Sequence, residues 1–187
     1  LKLGLNDLSE NRDLGLSVDL GSLHVIDPAR PHIESAQDEL ADFNAQIPLL
    51  NASANGQNVA TNRGLPLQVK PGESIKVWLT WLAEQQVAES YKVFVHLIDG
   101  NGRLIAQRDN EPLGRSFPTQ LWIPKWIEGQ RVNDPYQIGV PPDLPPGDYW
   151  IETGLYGQTS GRRVTIIGRD GNLAGDRVIL FKVKVQS

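Results

Sequence analysis

The sequence predicts an all-β fold: an Ig-like or jelly-roll antiparallel β-sandwich of about nine strands with one short N-terminal helix. Three observations lead there. Apolar residues alternate with polar ones in short windows, the period of a half-buried strand. Gly and Pro, 18 and 13 of the 187 residues, fall largely between those windows and supply the turns. One window, Tyr91 to Ile98, is apolar at both phases and runs into Asp99-Gly100-Asn101-Gly102, residues that tolerate the positive φ of a hairpin turn.

Taken in order, Leu1 to about Leu20 reads as an irregular arm or one edge strand, and Leu23 to Ile26 as a short strand stopped by Asp27-Pro28. Pro28 and Pro31 mark a connection, because proline lacks the N–H donor and restricts its predecessor. Ala36, Leu40 and Phe43 then recur at helical spacing behind Ser35, a suitable N-cap, which predicts a short helix. The expected division is an arm over 1–43 and a sandwich over 44–187. Strands are expected at Ile47–Leu50, Leu65–Val69 and Ser74–Leu82. In the last, Ile75, Val77, Leu79 and Trp81 share one face, and Lys76, Trp78 and Thr80 the other. Tyr91–Ile98 belongs near the middle of a sheet, with Arg103–Asp109 returning beside it. Residues 110–130 form a long connection carrying Trp122 and Trp126, a length typical of functional or lid-forming loops. Val132–Val140 and Asp148–Tyr156 follow, separated by the proline-rich turn 141–147. Arg163–Ile167, a glycine-rich turn over 168–175, and Val178–Val185 complete the set.

Charge and composition exclude several functions. The net charge is -4 and the sequence pI about 5.4, with Lys and Arg scattered rather than striped, so no nucleic-acid partner is expected and anionic membrane surfaces are disfavoured. Cysteine is absent, which removes disulfides, thiolate catalysis and Cys-based zinc sites. Methionine is absent too, at position 1 as elsewhere, so the chain is expected to begin at a processing site or boundary within a longer parent. No apolar run approaches the roughly 20 residues that cross a bilayer; a membrane tether is expected only in a part of the parent outside this chain. Lys182 and Lys184 on the last strand discourage edge pairing, and a monomer is expected.

No catalytic constellation stands out. Gly-x-Ser-x-Gly is missing, and the glycines at 168, 171 and 175 do not open a helix. Glu111, Asp134 and Glu152 are nominal glycosidase carboxylates, but nothing links them and they read as solvated or turn-forming. Asp99, Asn101 and Asp109, and likewise Asp170, Asn172 and Asp176, are oxygen-rich groups of the kind calcium takes, yet they lack an EF-hand layout and suit turns on their own account; no cofactor is expected beyond a weak structural calcium candidate. His96, inside the apolar run, is either a ligand contact or a structural histidine bonded to a neighbouring strand. His24 and His32 are not at metal-ligand spacing from it. Trp81 and Trp150 are expected to face the core. Trp122 and Trp126, in a long loop, either stack on a sugar or cover an open end of the sandwich.

The string from Tyr91 through Val-Phe-Val-His-Leu-Ile-Asp-Gly-Asn-Gly to Gln107-Arg108-Asp109, then Phe117-Pro-Thr119, Trp122, Leu144-Pro-Pro-Gly-Asp-Tyr149 and Gly154-Leu-Tyr156, resembles a β-sandwich domain found after the membrane-embedded part of dolichyl-phosphate-mannose-type glycosyltransferase-like proteins of filamentous green bacteria. The resemblance covers roughly residues 40–185. It implies an extracytoplasmic, non-catalytic accessory domain of an envelope glycosyltransferase-like system, with a glycan or a neighbouring envelope protein as partner. A free-standing carbohydrate-binding module and a structural or adhesive spacer are the alternatives. Candidate glycan contacts are Trp122, Trp126, His96, Arg108 and Asp109.

Overall fold

A computed structural model describes the backbone of residues 2–7 and 12–19, and residues 39–186 apart from 45, 63, 83, 85, 86, 88, 116–130 and 169. The chain divides into two compact units, Leu1–Pro31 and His32–Ser187.

The first unit is an antiparallel hairpin of β1 (Lys2–Asp7) and β2 (Arg12–Asp19), with Lys2 opposite Asp19 and Asp7 opposite Arg12. An irregular arm or a single edge strand was the expectation. The pairing corrects it, and Leu14, Leu16 and Val18 do recur at the strand period of two. The expected strand at Leu23–Ile26, the connection at Pro28 and Pro31, and His24 and His32 lie outside the described residues.

The second unit is all-β. One sheet has seven strands in the order β10-β7-β4-β3-β12-β13, with β5 paired to β4; the other has five in the order β6-β14-β11-β8-β9. The strands are β3 (Ala41–Phe43), β4 (Ile47–Ala54), β5 (Gln57–Asn58), β6 (Leu67–Val69), β7 (Ser74–Leu82), β8 (Tyr91–Asp99), β9 (Leu104–Asn110), β10 (Arg131–Gly139), β11 (Gly147–Gly157), β12 (Ile166–Ile167), β13 (Leu173–Gly175) and β14 (Val178–Val185). Pairing is antiparallel except between β14 and β6. Side chains alternate across each strand, so the inward residues Ile75, Val77, Leu79 and Trp81 of β7 meet Val93, Val95 and Leu97 of β8, Ile151 and Leu155 of β11, and Phe181 and Val183 of β14 in one apolar core.

The expected helix over Ser35–Phe43 is corrected in its second half, where Ala41–Phe43 is a strand; residues 35–38 lie outside the described residues. Ala41 and Phe43 are buried on either side of a half-exposed Asp42, and Phe43 packs edge-on to Trp81 at 5.8 Å. Burying Phe43 against another aromatic outweighs a weak helical propensity. Because β3 pairs with both β4 and β12, a boundary at 43/44 would cut through the sheet.

Local chemistry fixes the turns. Asp99 Oδ1 accepts the N–H groups of Asn101 and Arg103, each at 2.9 Å, and Gly102 takes φ +78°, which closes the β8–β9 hairpin. At the start of β11 the Tyr149 hydroxyl donates to the carbonyl of Pro145 at 3.0 Å and pins the proline-rich turn. The expected strand Arg163–Ile167 shortens to Ile166–Ile167, with Arg163 left as a single bridge to Tyr156. No helix among the described residues is long and apolar enough to cross a membrane.

Candidate functional site

Strand β9 ends one sheet and β10 ends the other, and a groove of about 600 Å³ lies along these two edges. Strand alternation builds its walls. With Ile75, Val77, Leu79 and Trp81 turned inward, Lys76 and Trp78 of β7 face solvent, and Trp78 is 51% exposed. Pro135 of β10 sits directly across from Trp78, and Gln137 across from Lys76. Proline is tolerated there because an edge strand need not offer every N–H to a neighbour. From the other sheet, Arg108 and Asn110 of β9 register with the inward residues Val95 and Val93. At the edge strand their side chains therefore meet the groove, which they line with Lys76, Trp78, Tyr136 and Gln137.

The groove floor is tied to a buried acid. On β10 the inward positions are Val132, Asp134, Tyr136 and Ile138, so Asp134 enters an apolar face and is 0% exposed. Its Oδ1 accepts the Leu113 N–H at 2.8 Å and its Oδ2 the Tyr136 hydroxyl at 2.7 Å. Burial raises the Asp134 carboxyl to about 6, against the opposing pull of the Leu113 N–H, the Tyr136 hydroxyl and the nearby Trp81 indole N–H. The Trp81 N–H helps hold the negative form without reaching hydrogen-bond alignment. Burial, with Asp134 beside it, pushes the Tyr136 phenol far above its ordinary value.

The Leu113 bond anchors an unusual turn. Leu113, Gly114 and Arg115 take φ of 54°, 62° and 75° in succession, a left-handed turn that non-glycine residues enter at a cost of about 1–2 kcal/mol each. The Arg115 N–H donates to the Glu111 carbonyl at 3.1 Å, and Gly114 lines the groove. Glu111, 7% exposed, accepts the Ser90 hydroxyl at 2.7 Å. Backbone strain held in place by surrounding bonds is a frequent companion of binding sites.

A second polar cluster occupies the outer face of the other sheet. Phe94 and His96 point away from the core, opposite Gly154 and Glu152 of β11. The His96 ring meets Glu152 Oε1 through Nδ1 and Asp109 Oδ1 through Nε2, both at 3.2 Å. The second contact lacks hydrogen-bond alignment. Tyr156 donates its hydroxyl to Asp109 Oδ2 at 3.3 Å, and Arg177 approaches Glu152 Oε2 at 3.5 Å. Arg163 covers Phe94 at 4.1 Å from the ring centroid. With His96 7% and Glu152 2% exposed, this arrangement ties β9, β8 and β11 together. His96 is thus bonded to neighbouring strands.

Among the sequence candidates that fall in the described residues, Arg108 alone lines the groove. Asp109 registers with outward Phe94 and faces the opposite side of its sheet. Trp122 and Trp126 lie outside the described residues, as does the Phe117-Pro-Thr119 string. The calcium candidates do not converge: Asp99 and Asn101 share one turn, where Asp99 is spent on Arg103 and backbone N–H groups, whereas Asp109 pairs five residues back along β8. The backbone N–H groups, chiefly that of Arg103, hold the Asp99 carboxyl below its ordinary range. Asp170 likewise bonds Asn172 within its own turn. Among the described residues no three His, Asp or Glu side chains gather as metal ligands.

Two further expectations change. Glu111, Asp134 and Glu152 are not solvated but buried, each engaged by a hydroxyl, N–H or cationic partner. Trp150 faces outward, because Tyr149 and Ile151 take the inward positions beside it. It lies 5.9 Å from Lys182 Nζ and lines a hollow of about 390 Å³ with Arg177 and Ile179. Trp78, which heads no sequence motif, was the residue missed; its outward phase opposite Trp81 was the available signal.

No protein-family model and no curated protein matches the sequence. Among solved structures, a Niemann-Pick type C2 protein from the Japanese carpenter ant is similar over 72% of this chain and 89% of its own, at 8% identity and a TM-score of 0.41. The alkylpurine DNA glycosylase AlkC of Pseudomonas fluorescens, bound to DNA containing an abasic site analog, is similar over 66% of this chain and 28% of its own, at 12% identity and 0.35. A β-glucuronidase from glycoside hydrolase family 2 is similar over 61% and 10%, at 7% identity and 0.33.

Proposed function

We propose that this chain is a non-catalytic, extracytoplasmic domain that binds glycan in the Trp78 groove, as an accessory of an envelope glycosyltransferase-like system. The half-exposed Trp78 ring carries the reading. A large aromatic in water forgoes the burial that normally holds it in a core. Here it stands on a rigid strand, beside the hydrogen-bonding groups of Lys76, Asn110 and Gln137. An apolar plate ringed by donors and acceptors suits a pyranose, whose C–H face stacks on the indole while its hydroxyls find polar partners. The envelope setting is supported by the ordered motifs from Tyr91 to Tyr156. A non-catalytic role is supported by the engagement of Glu111, Asp134 and Glu152 in buried contacts.

The Ig-like form of the sandwich is favoured over the jelly roll. Support comes from the order β6-β14-β11-β8-β9 with a parallel β6–β14 pair, and from the Tyr149 hydroxyl bonded four residues upstream at the start of β11, as in a tyrosine corner.

Isothermal titration calorimetry with a panel of bacterial envelope oligosaccharides tests the reading. Saturable heat that disappears in Trp78→Ala and persists in a Trp122→Ala, Trp126→Ala double variant is expected. Loss only in the loop variant would move the site to 110–130, and no saturable heat from the folded protein would sink glycan binding.

A further inference from the structure

Resting on the glycan reading of the Trp78 groove, we infer that its ligand is acidic: a sugar chain bearing carboxylate or phosphate groups, held by Lys76 and Arg108, which line the groove with the ring. The two cations reach the groove from different sheets, Lys76 from the outward face of β7 and Arg108 from the β9 edge. Lys76 shares its strand face with Trp78 two residues on, about 7 Å along the strand, so an anionic substituent can meet the ammonium while its ring lies on the indole.

The charge balance of the groove runs against that of the protein. Acidic residues outnumber Lys and Arg by 22 to 18 in the chain, yet the described groove lining contains Lys76 and Arg108 and neither Asp nor Glu. The described carboxylates on neighbouring positions are committed elsewhere. Asp134 faces the core and is bonded to Leu113 and Tyr136. Asp109, next to Arg108 in sequence, lies on the other side of the sheet against His96 and Tyr156. The positive charge of Arg108 is felt at the Tyr136 phenol, where it opposes the rise caused by burial, Asp134 and the more distant Asp109. A groove whose described lining holds two cations, an aromatic plate and no carboxylate favours an anion over a neutral sugar.

Calorimetry on the whole chain tests this with three probes: a galacturonate oligosaccharide, the same oligosaccharide methyl-esterified to remove its charge, and a hexose oligosaccharide carrying phosphate groups. The expected result is that the galacturonate or the phosphate probe binds at least about tenfold tighter than the ester, as one charge-assisted hydrogen bond of ordinary strength would supply. That advantage should vanish in Lys76→Gln, Arg108→Gln and shrink between about 50 and about 500 mM salt. Trp78→Ala should abolish binding of every probe. The preferred anion tells carboxylate from phosphate. Equal, Trp78-dependent binding of acid and ester would overturn the acidic preference and leave glycan binding standing. Anion binding that ignores Trp78→Ala would reveal simple ion exchange and overturn the inference, and binding of no probe would overturn it together with the reading on which it rests.

Discussion

Replacing Asp134 with asparagine probes the buried acid beneath the groove. Its carboxyl moves from 3.8 to about 6 in the fold, about 2 units, and each unit corresponds to about 1.4 kcal/mol, so the linkage amounts to about 3 kcal/mol. The folded state binds the proton more tightly than the unfolded chain. The group's stabilising contribution is therefore complete below about pH 3.8 and is lost as pH rises through about 6. At neutral pH the fold carries an ionised carboxylate at a cost of about 3 kcal/mol relative to acid. Asparagine keeps an oxygen for the Leu113 N–H but obliges the Tyr136 hydroxyl to accept instead of donate, a penalty of about 1–2 kcal/mol that does not titrate. Urea unfolding of both proteins at several pH values from 4 to 7 isolates the effect, since every other group titrates in common. The native protein should gain about 2 kcal/mol on Asp134→Asn as the pH falls from 7 to 4, the remainder following only below about pH 3.8. Parallel pH profiles, or a gain in the opposite direction, would refute the assignment.

Two structural substitutions test the sandwich itself. A Cβ at Gly154 would lie 2.5 Å from the Phe94 ring and 2.8 Å from the Asp176 carbonyl, so Gly154→Ala should lower stability by about 1–3 kcal/mol, read as a shift in the urea midpoint; an unchanged midpoint would mean that Phe94 is free to move. Tyr149→Phe removes the bond to the Pro145 carbonyl and should cost about 1 kcal/mol in thermal or urea unfolding without altering calorimetric titrations at the Trp78 groove.

Where side-chain phase alone decides the outcome, the sequence is legible. Alternation marks Ser74–Leu82 and Val178–Val185 with the bounds the strands adopt. The doubly apolar run from Tyr91 becomes the strand between β11 and β9. The same logic, applied strictly, reveals outward Trp78 and outward Trp150; judging Trp150 by its size instead of its phase turned it inward. It would also have placed Asp134 on an apolar face, in step with Val132 and Tyr136.

Partners distant in sequence are not legible in this way. The strand at Ala41–Phe43 depends on Trp81 and Ile166, dozens of residues away, and a local helical spacing could not anticipate them. The cluster of His96 with Asp109 and Glu152 exists because β8 lies between β9 and β11. The groove forms because β9 and β10, separated by the long connection, become neighbouring edges of different sheets. Sequence alone determined that this chain is β-rich, which residues alternate and where the chain turns, because period and turn chemistry are local. Only the tertiary structure decided which strands are edges, which acids are buried and which tryptophan meets solvent, because burial and pairing are set by the surfaces that two sheets present to each other.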